Sequence, residues 1–365
     1  MKSRRVLWVV SSLAAGGAER IVVEFANGFA DHGHDVAVLT LSSPQHDHYL
    51  IGRHVTRIAL DQPWRTTSLW QRLTGNLRLC YSIRRAILAY RPDVVISFID
   101  QSNVRVLAAL TGTGIPVIIS ERIDPRRHIL GRFWNLARRV LYPIADRIVV
   151  QTQGIADWAG STVHLKRIRI IENPVRDLPP PQATDRREPK SILAVGRLHP
   201  QKGFDLLLRG FASSGLARNG VQLIILGDGP EREALETLVR DLKLDHAVSM
   251  PGLVSDPETW MARATVFVLP SRYEGFPNAL LEAMSMGCPS IATDCDTGPR
   301  DIIRHAVNGL LIPVDHQQAL ADALVLMLGD SNLRARLSAE ALKVRDTYSK
   351  ARILLEWENV IEEVL

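Results

Sequence analysis

Two α/β domains, each built on a parallel sheet, are predicted by three observations. Short apolar strands alternate with amphipathic helices along the whole chain. Its 365 residues accommodate two domains at roughly 100–200 residues each. A polar, proline-rich stretch interrupts the pattern near the middle. In the first half RVLWVV (5–10) reads as a strand, and AERIVVEFANGFADHGHDVAVLTL (18–41) continues as helix, glycine turn and second strand. That β-α-β unit argues against reading MKSRRVLWVVSSLAAGGA as a secretory signal, since cleavage would destroy it. DVVISFI (93–99), PVIIS (116–120) and RIVVQT (147–152) follow. The second half supplies SILAVG (191–196), VQLIILG (221–227), AVSMPG (247–252), VFVLP (266–270) and PSIAT (289–293). Uninterrupted apolar strands of this kind belong to parallel sheets covered on both faces. Between the halves, DLPPPQATDRREPK cannot extend either sheet and reads as a linker. The expected division is therefore a first domain over 1–177, a linker over 178–190 and a second domain over 191–349. The closing helix, 350–365, is apolar-striped and expected to complete the first domain.

Composition narrows the function classes. With 46% hydrophobic and 23% charged residues the chain is an ordinary globular protein. Cys80, Cys288 and Cys295 are too few and scattered for a disulfide framework or a structural zinc site, which points to a reducing, cytoplasmic compartment. No apolar run approaches the ~18 residues that span a bilayer. Residues 1–175 hold 23 Lys and Arg against 13 Asp and Glu, while the remainder holds 21 against 26. A basic first half suits phosphates or an anionic surface. Nucleic acid is not expected, because no zinc finger, RNA-binding signature or aromatic-interleaved basic tract is present.

Ligands of open α/β sheets bind beyond the carboxyl ends of the strands, so the residues just after each strand are the informative ones. After the first strand, Gly16 and Gly17 open a helix, either as a tight turn or as a close backbone approach to a ligand. The dinucleotide pattern G-x-G-x-x-G is absent. After the first strand of the second half, VGRLHPQKG places Arg197 and Lys202 five positions apart before a helix, an arrangement suited to a diphosphate. SRYEGFPNALLEAMSMGCPSIAT then sets Glu274 at a strand-to-helix corner, Pro277 in the first helical turn and Glu282 eight residues on. Carboxylates so far apart must serve different parts of one extended ligand, and a carboxylate accepts hydrogen bonds from vicinal sugar hydroxyls. Glu282 could equally be a buried acid paired within the core.

The ordered set GGAER, VGRLHPQKG, GDGPEREAL, EGFPNALLEAMSMGCPSIAT and NGLLIPVD resembles the retaining nucleotide-sugar glycosyltransferases of family 4. TDCDTGPRDII and SERIDP look most like the branch that builds bacterial exopolysaccharide and O-antigen repeat units. The resemblance implies a GT-B fold, two Rossmann-like domains facing each other across a cleft. It implies metal-independent transfer of a hexose, with retention, from a nucleoside diphosphate sugar, a UDP-sugar being favoured. The acceptor would be a glycan carried on a polyprenyl diphosphate, and no cofactor would be needed. Arg197 and Lys202 would hold the donor diphosphate. Glu274, with Gly275, Phe276, Pro277 and Asn278, would face the sugar, and Glu282 would bind the ribose. Gly16 and Gly17 would lie where phosphate, sugar and acceptor meet, and Gly252 to Val254 near the base. Many relatives place a histidine after the strand equivalent to PVIIS. Here Arg122 stands at that position and His128 follows six residues later, so Glu121, Arg122 and Asp124 are the acceptor-side candidates. A sugar-nucleotide epimerase, a phosphorylase or a non-catalytic sugar-nucleotide sensor could share the fold. The chain is too short for a phosphorylase and shows no pyridoxal phosphate lysine.

Three further features invite chemistry. Asp294 and Asp296 spell D-x-D, but they follow a strand of the second half, where Arg197 and Lys202 already supply positive charge, so no metal is expected. His32 with His34 and His46 with His48 have H-x-H spacing in a helix-end turn and a polar loop, which are poor metal sites. PRRHILGRFWNLARRVLYPIADR combines Arg126, Arg127, Arg132, Arg138 and Arg139 with Phe133, Trp134 and Tyr142. It reads either as a helix lying on an anionic membrane, making the protein peripheral at the inner face, or as a helix with a core side and solvated arginines.

Overall fold

The computed structural model describes residues 2–14, 16–61, 69–128, 130–177 and 190–365; of residues 46 and 69–73 only the backbone is described. The chain divides into two compact units, Met1–Asn173 with Ala351–Leu365, and Pro174–Lys350. Unit 1 thus stops four residues short of the expected 177. Apart from Lys190, the stretch expected as the linker, 178–190, lies outside the described residues.

Unit 1 runs β1 (Arg5–Val10), α1 (Gly17–Asp31), β2 (Asp35–Thr40), β3 (Val55–Ala59), α2 (Leu69–Tyr90), β4 (Val94–Phe98), α3 (Asp100–Leu110), β5 (Val117–Ser120), α4 (Arg132–Leu141), β6 (Arg147–Val150), α5 (Gln153–Gly160) and β7 (Ile168–Ile170). Its seven strands are ordered β3-β2-β1-β4-β5-β6-β7, every neighbouring pair parallel. Unit 2 runs β8 (Ser191–Val195), α6 (Phe204–Ser214), β9 (Gln222–Leu226), α7 (Arg232–Asp241), β10 (Val248–Gly252), α8 (Pro257–Arg263), β11 (Val266–Leu269), α9 (Asn278–Ser285), β12 (Ser290–Thr293), α10 (Pro299–Ile302), β13 (Leu310–Ile312), α11 (Gln317–Gly329), α12 (Ser331–Ala341) and α13 (Val344–Thr347). Its six strands are ordered β10-β9-β8-β11-β12-β13, again parallel throughout. Strands β3, β7 and β13 were not among those expected. Each lies at a sheet edge, is at most five residues long, and is partly exposed.

The central strands β1, β4 and β5 are almost wholly buried, as apolar runs covered on both faces must be. Trp8 of β1 is the hub of unit 1. Phe25, Phe29, Phe98 and Trp357 surround it at ring-centroid distances of 5.5–5.6 Å. Trp357 belongs to the last helix, α14 (Lys350–Glu362), whose Ile353, Leu354, Val360 and Ile361 enter the same core. Gly28 of α1 permits this approach, since a Cβ there would lie 2.6 Å from the Leu354 methyl. The carboxyl ends of both sheets, with the loops that leave them, carry the polar chemistry.

Candidate functional site

In a doubly wound sheet the ligand site lies where the strand order reverses. In unit 2 that point falls between β8 and β11, so the loops after these strands are the ones that matter. The first contains a single helical turn, Pro200–Lys202, whose N-cap His199 accepts the Gln201 N–H on Nδ1 at 3.2 Å. The turn ends at Gly203, left-handed with φ 64°, where a Cβ would lie 2.1 Å from the Pro270 carbonyl oxygen. Only glycine lets the two loops touch there. Gln201 laces them together, its side chain donating to the Tyr273 carbonyl at 2.9 Å while its own carbonyl accepts from Arg272 N–H at 2.8 Å.

This lacing brings two of the predicted residues into contact. Lys202 Nζ donates to Glu274 Oε1 at 2.5 Å, and Ser271 Oγ donates to the same oxygen at 2.6 Å. Glu274 is 5% exposed, and among the described residues nothing donates to its Oε2. The Lys202 stem folds back across Gly196, beside Arg197, which is exposed and has no hydrogen-bond or ion-pair partner among the described residues. The N–H groups of Gly275 and Phe276 likewise meet no acceptor there. The Phe276 ring is buried against Tyr348, with centroids 5.6 Å apart, so only its backbone is on offer. Pro277 is the N-cap of α9 and not a first-turn residue, with Asn278 opening the helix. Glu282 lies half-buried further along α9. Val254, also half-buried, packs against the core of unit 2 after β10, beyond Gly252 at φ 90°.

In unit 1 the order reverses between β1 and β4. Gly16 caps α1 in an extended conformation, and Gly17 begins the helix. The Glu19 carboxylate folds over this end, where a Cβ on Gly16 would lie 2.2 Å from one of its oxygens. The acceptor-side candidates do not act as one group. Asp124 is buried and paired with Arg126 Nε at 3.0 Å. Arg122 turns inward, its guanidinium 4.0 Å over the Phe98 ring and donating to Asn173 Oδ1 at 2.7 Å. Burial without a carboxylate pulls its pKa down to about 9. Glu121 is fully buried and accepts a hydrogen bond from the Tyr142 hydroxyl. Desolvation, the largest influence, raises its carboxyl to about 7 against the opposing charge of Arg138. Arg138 lies between Glu121 and Asp100, 3.6 and 3.7 Å away, with His128 Nε2 3.5 Å from the same Asp100 oxygen.

Arg138 corrects the expectation for α4. It was grouped with the surface arginines, yet it is 4% exposed and points into the unit. The outward face is apolar instead. Phe133, Leu136 and Val140, one helical face by spacing, are each more than 60% exposed, flanked by exposed Arg132 and Arg139. Among the described residues no helix is long and apolar enough to cross a membrane.

The sequence-level decoys find partners within the fold. Asp294 accepts from Arg300 Nε at 3.0 Å. His32 Nδ1 lies 2.6 Å and His34 Nε2 3.6 Å from buried Glu358 of α14, and burial lowers the pKa of His34. The His46 side chain lies outside the described residues. Sequence reasoning missed Asp100 and Ser271, although each is close behind a buried strand, where the carboxyl-end rule already pointed.

Two Rossmann-like parallel sheets, with cations and a carboxylate gathered at the reversal point of the second, define the GT-B class of α/β protein. The models for Glycosyltransferase Family 4 and Glycosyl transferases group 1 match residues 15–177 and 189–330 respectively. The chain belongs to this family of glycosyltransferases. It is 29% identical over 363 residues, 99% of either chain, to a Campylobacter jejuni alpha-1,4-N-acetyl-D-galactosaminyltransferase. The name of that enzyme gives its acceptor as GalNAc-alpha-(1->4)-GalNAc-alpha-(1->3)-diNAcBac-PP-undecaprenol. The fold matches sucrose-phosphate synthase from Thermosynechococcus elongatus with a TM-score of 0.86 at 18% identity over 99% of both chains. It also matches Anabaena HepE in complex with UDP and glucose, with a TM-score of 0.82 at 17% identity over 99% of this chain and 100% of that one.

Proposed function

We propose that this glycosyltransferase moves a hexose from a UDP-sugar, with retention and without a metal, to a glycan carried on a polyprenyl diphosphate at the inner membrane face. One observation carries the reading: Arg197, without a partner among the described residues, stands in the same loop as Lys202, which holds Glu274 Oε1 and leaves Oε2 open at the reversal point of the unit 2 sheet. In this assignment Arg197 and Lys202 stabilise charge as the bond from the anomeric carbon to the diphosphate breaks. Glu274 Oε2 and the N–H groups of Gly275 and Phe276 orient the sugar, while Glu282 binds the ribose. The acceptor hydroxyl then bonds to the anomeric carbon on the face the diphosphate leaves, its proton passing to an oxygen of the departing diphosphate. The UDP complex of a protein with this fold and the acceptor named for the Campylobacter relative support donor and acceptor class. Pairing of Asp294 with Arg300 speaks against a metal at D-x-D. The outward apolar face of α4, rimmed by Arg132 and Arg139, is the surface that would meet anionic lipid.

A panel of UDP- and GDP-sugars tests the donor by thermal protection, since a ligand at 100 times its Kd stabilises by about 2.7 kcal/mol. A UDP-sugar should protect, its product with a polyprenyl diphosphate-linked glycan should keep the donor anomer by NMR, and activity should survive EDTA. Protection by GDP-sugars alone, an inverted product, or loss with EDTA reversed by manganese would each overturn the corresponding part.

A further inference from the structure

We propose that Ser271 is a positioning residue for Glu274. In this role its hydroxyl keeps Oε2 turned outward and the carboxylate seated while Lys202 is shared with a diphosphate. The proposal rests on the assignment of Glu274 to the donor sugar.

The two donors to Glu274 Oε1 differ in freedom. Lys202 is 21% exposed and has three N–H bonds on a flexible stem, so an arriving phosphate can recruit it. Ser271 is 0% exposed on a short side chain. Its carbonyl accepts from the Thr293 hydroxyl and from Cys295 Sγ, the latter at 3.2 Å, which ties it to the end of β12. The main chain of Glu274 is pinned from the same direction, with Thr297 Oγ1 donating to its carbonyl at 2.5 Å. Gly298, at φ 92°, sits so close that a Cβ on it would lie 3.2 Å from Glu274 Cβ. When a diphosphate draws on Lys202, Ser271 is the protein donor that stays with the carboxylate. Hydrogen bonds to a charged acceptor are the strong ones, and one that fixes the reacting geometry acts on turnover more than on nucleotide binding.

The test is a double-mutant cycle in the full chain, with Ser271→Ala, Glu274→Ala and the double variant. Turnover is read as UDP release from the UDP-sugar accepted in the panel, UDP affinity by calorimetry, and folding by thermal unfolding. Ser271→Ala should lose on the order of 10–100-fold in kcat, with UDP affinity within about twofold of the parent. Added to Glu274→Ala it should cost nothing further. Ser271→Cys, nearly the same size but a weaker donor, should fall between and serves in place of the alanine variant if that one does not fold. Undiminished turnover in Ser271→Ala beside a crippled Glu274→Ala would overturn the proposal alone, as would an equal further loss in the double variant. Wild-type turnover in Glu274→Ala would instead remove the assignment of Glu274, and this role for Ser271 with it.

Discussion

Arg197 and Lys202 bear the same charge in one loop, yet they should respond differently to substitution. Arg197 has no partner among the described residues, so Arg197→Ala should lower kcat by on the order of 10²–10³-fold while thermal unfolding stays unchanged. Lys202→Ala also strips a donor from a buried carboxylate. It should lose about 1–3 kcal/mol of stability by urea unfolding in addition to its turnover. A stable, active Lys202→Ala would mean that the pair contributes to neither. Glu121 offers a pH test. With its pKa raised to about 7 in the fold against an ordinary 4.5, the native state holds a proton that the unfolded chain has released between those pH values. Stability should therefore fall as pH rises from about 4.5 to 7 and level off above, by on the order of 3 kcal/mol. Arg138, which favours the charged form, works against the shift, while Asp100 reinforces it. In Glu121→Gln that slope should vanish from urea unfolding curves, and an unaltered slope would exclude Glu121 as its source.

Element by element, the sequence was most legible where one structural demand acted alone. Strands β1, β4 and β5 satisfy only burial and appear as unbroken apolar runs, whereas β3 and β7 carry Arg57 and Arg169 on half-exposed edges and blend into the loops. The candidate loop after β8 was legible because its charged residues follow a strand directly. The lacing through Gln201 and Gly203 was not, since it joins segments about seventy positions apart. Helix α4 shows the ambiguity at its sharpest. Its periodicity fixes two opposite faces but not which one turns inward; Glu121 and Asp100, waiting in the interior, decide by capturing Arg138. The exposed stripe and the buried arginine should then separate experimentally. Replacing Phe133, Leu136 and Val140 together with serine should weaken binding to anionic vesicles at least tenfold while leaving the fold intact. Arg138→Gln should cost about 3–5 kcal/mol of stability, because it leaves buried acids uncompensated. Equal vesicle binding by the triple variant would place any lipid contact elsewhere.

Across the whole molecule, the central dependence is that of unit 1 on α14. Trp357 completes the aromatic cluster around Trp8, so Trp357→Ala should cost about 3–5 kcal/mol, read as a lower unfolding midpoint for unit 1 with that of unit 2 little changed. A common midpoint shift would show that the two units melt as one. The same arrangement sets a timetable for synthesis. Every residue of unit 2 lies between the two segments of unit 1, so the second unit can close while the first still lacks part of its core. On the ribosome, at about 5–20 residues per second, the apolar socket for Trp357 stays open for roughly ten to forty seconds after β7 has emerged. During that interval Trp8, Phe25 and Phe98 lack the ring that covers them, and the unit translated second can finish before the unit translated first.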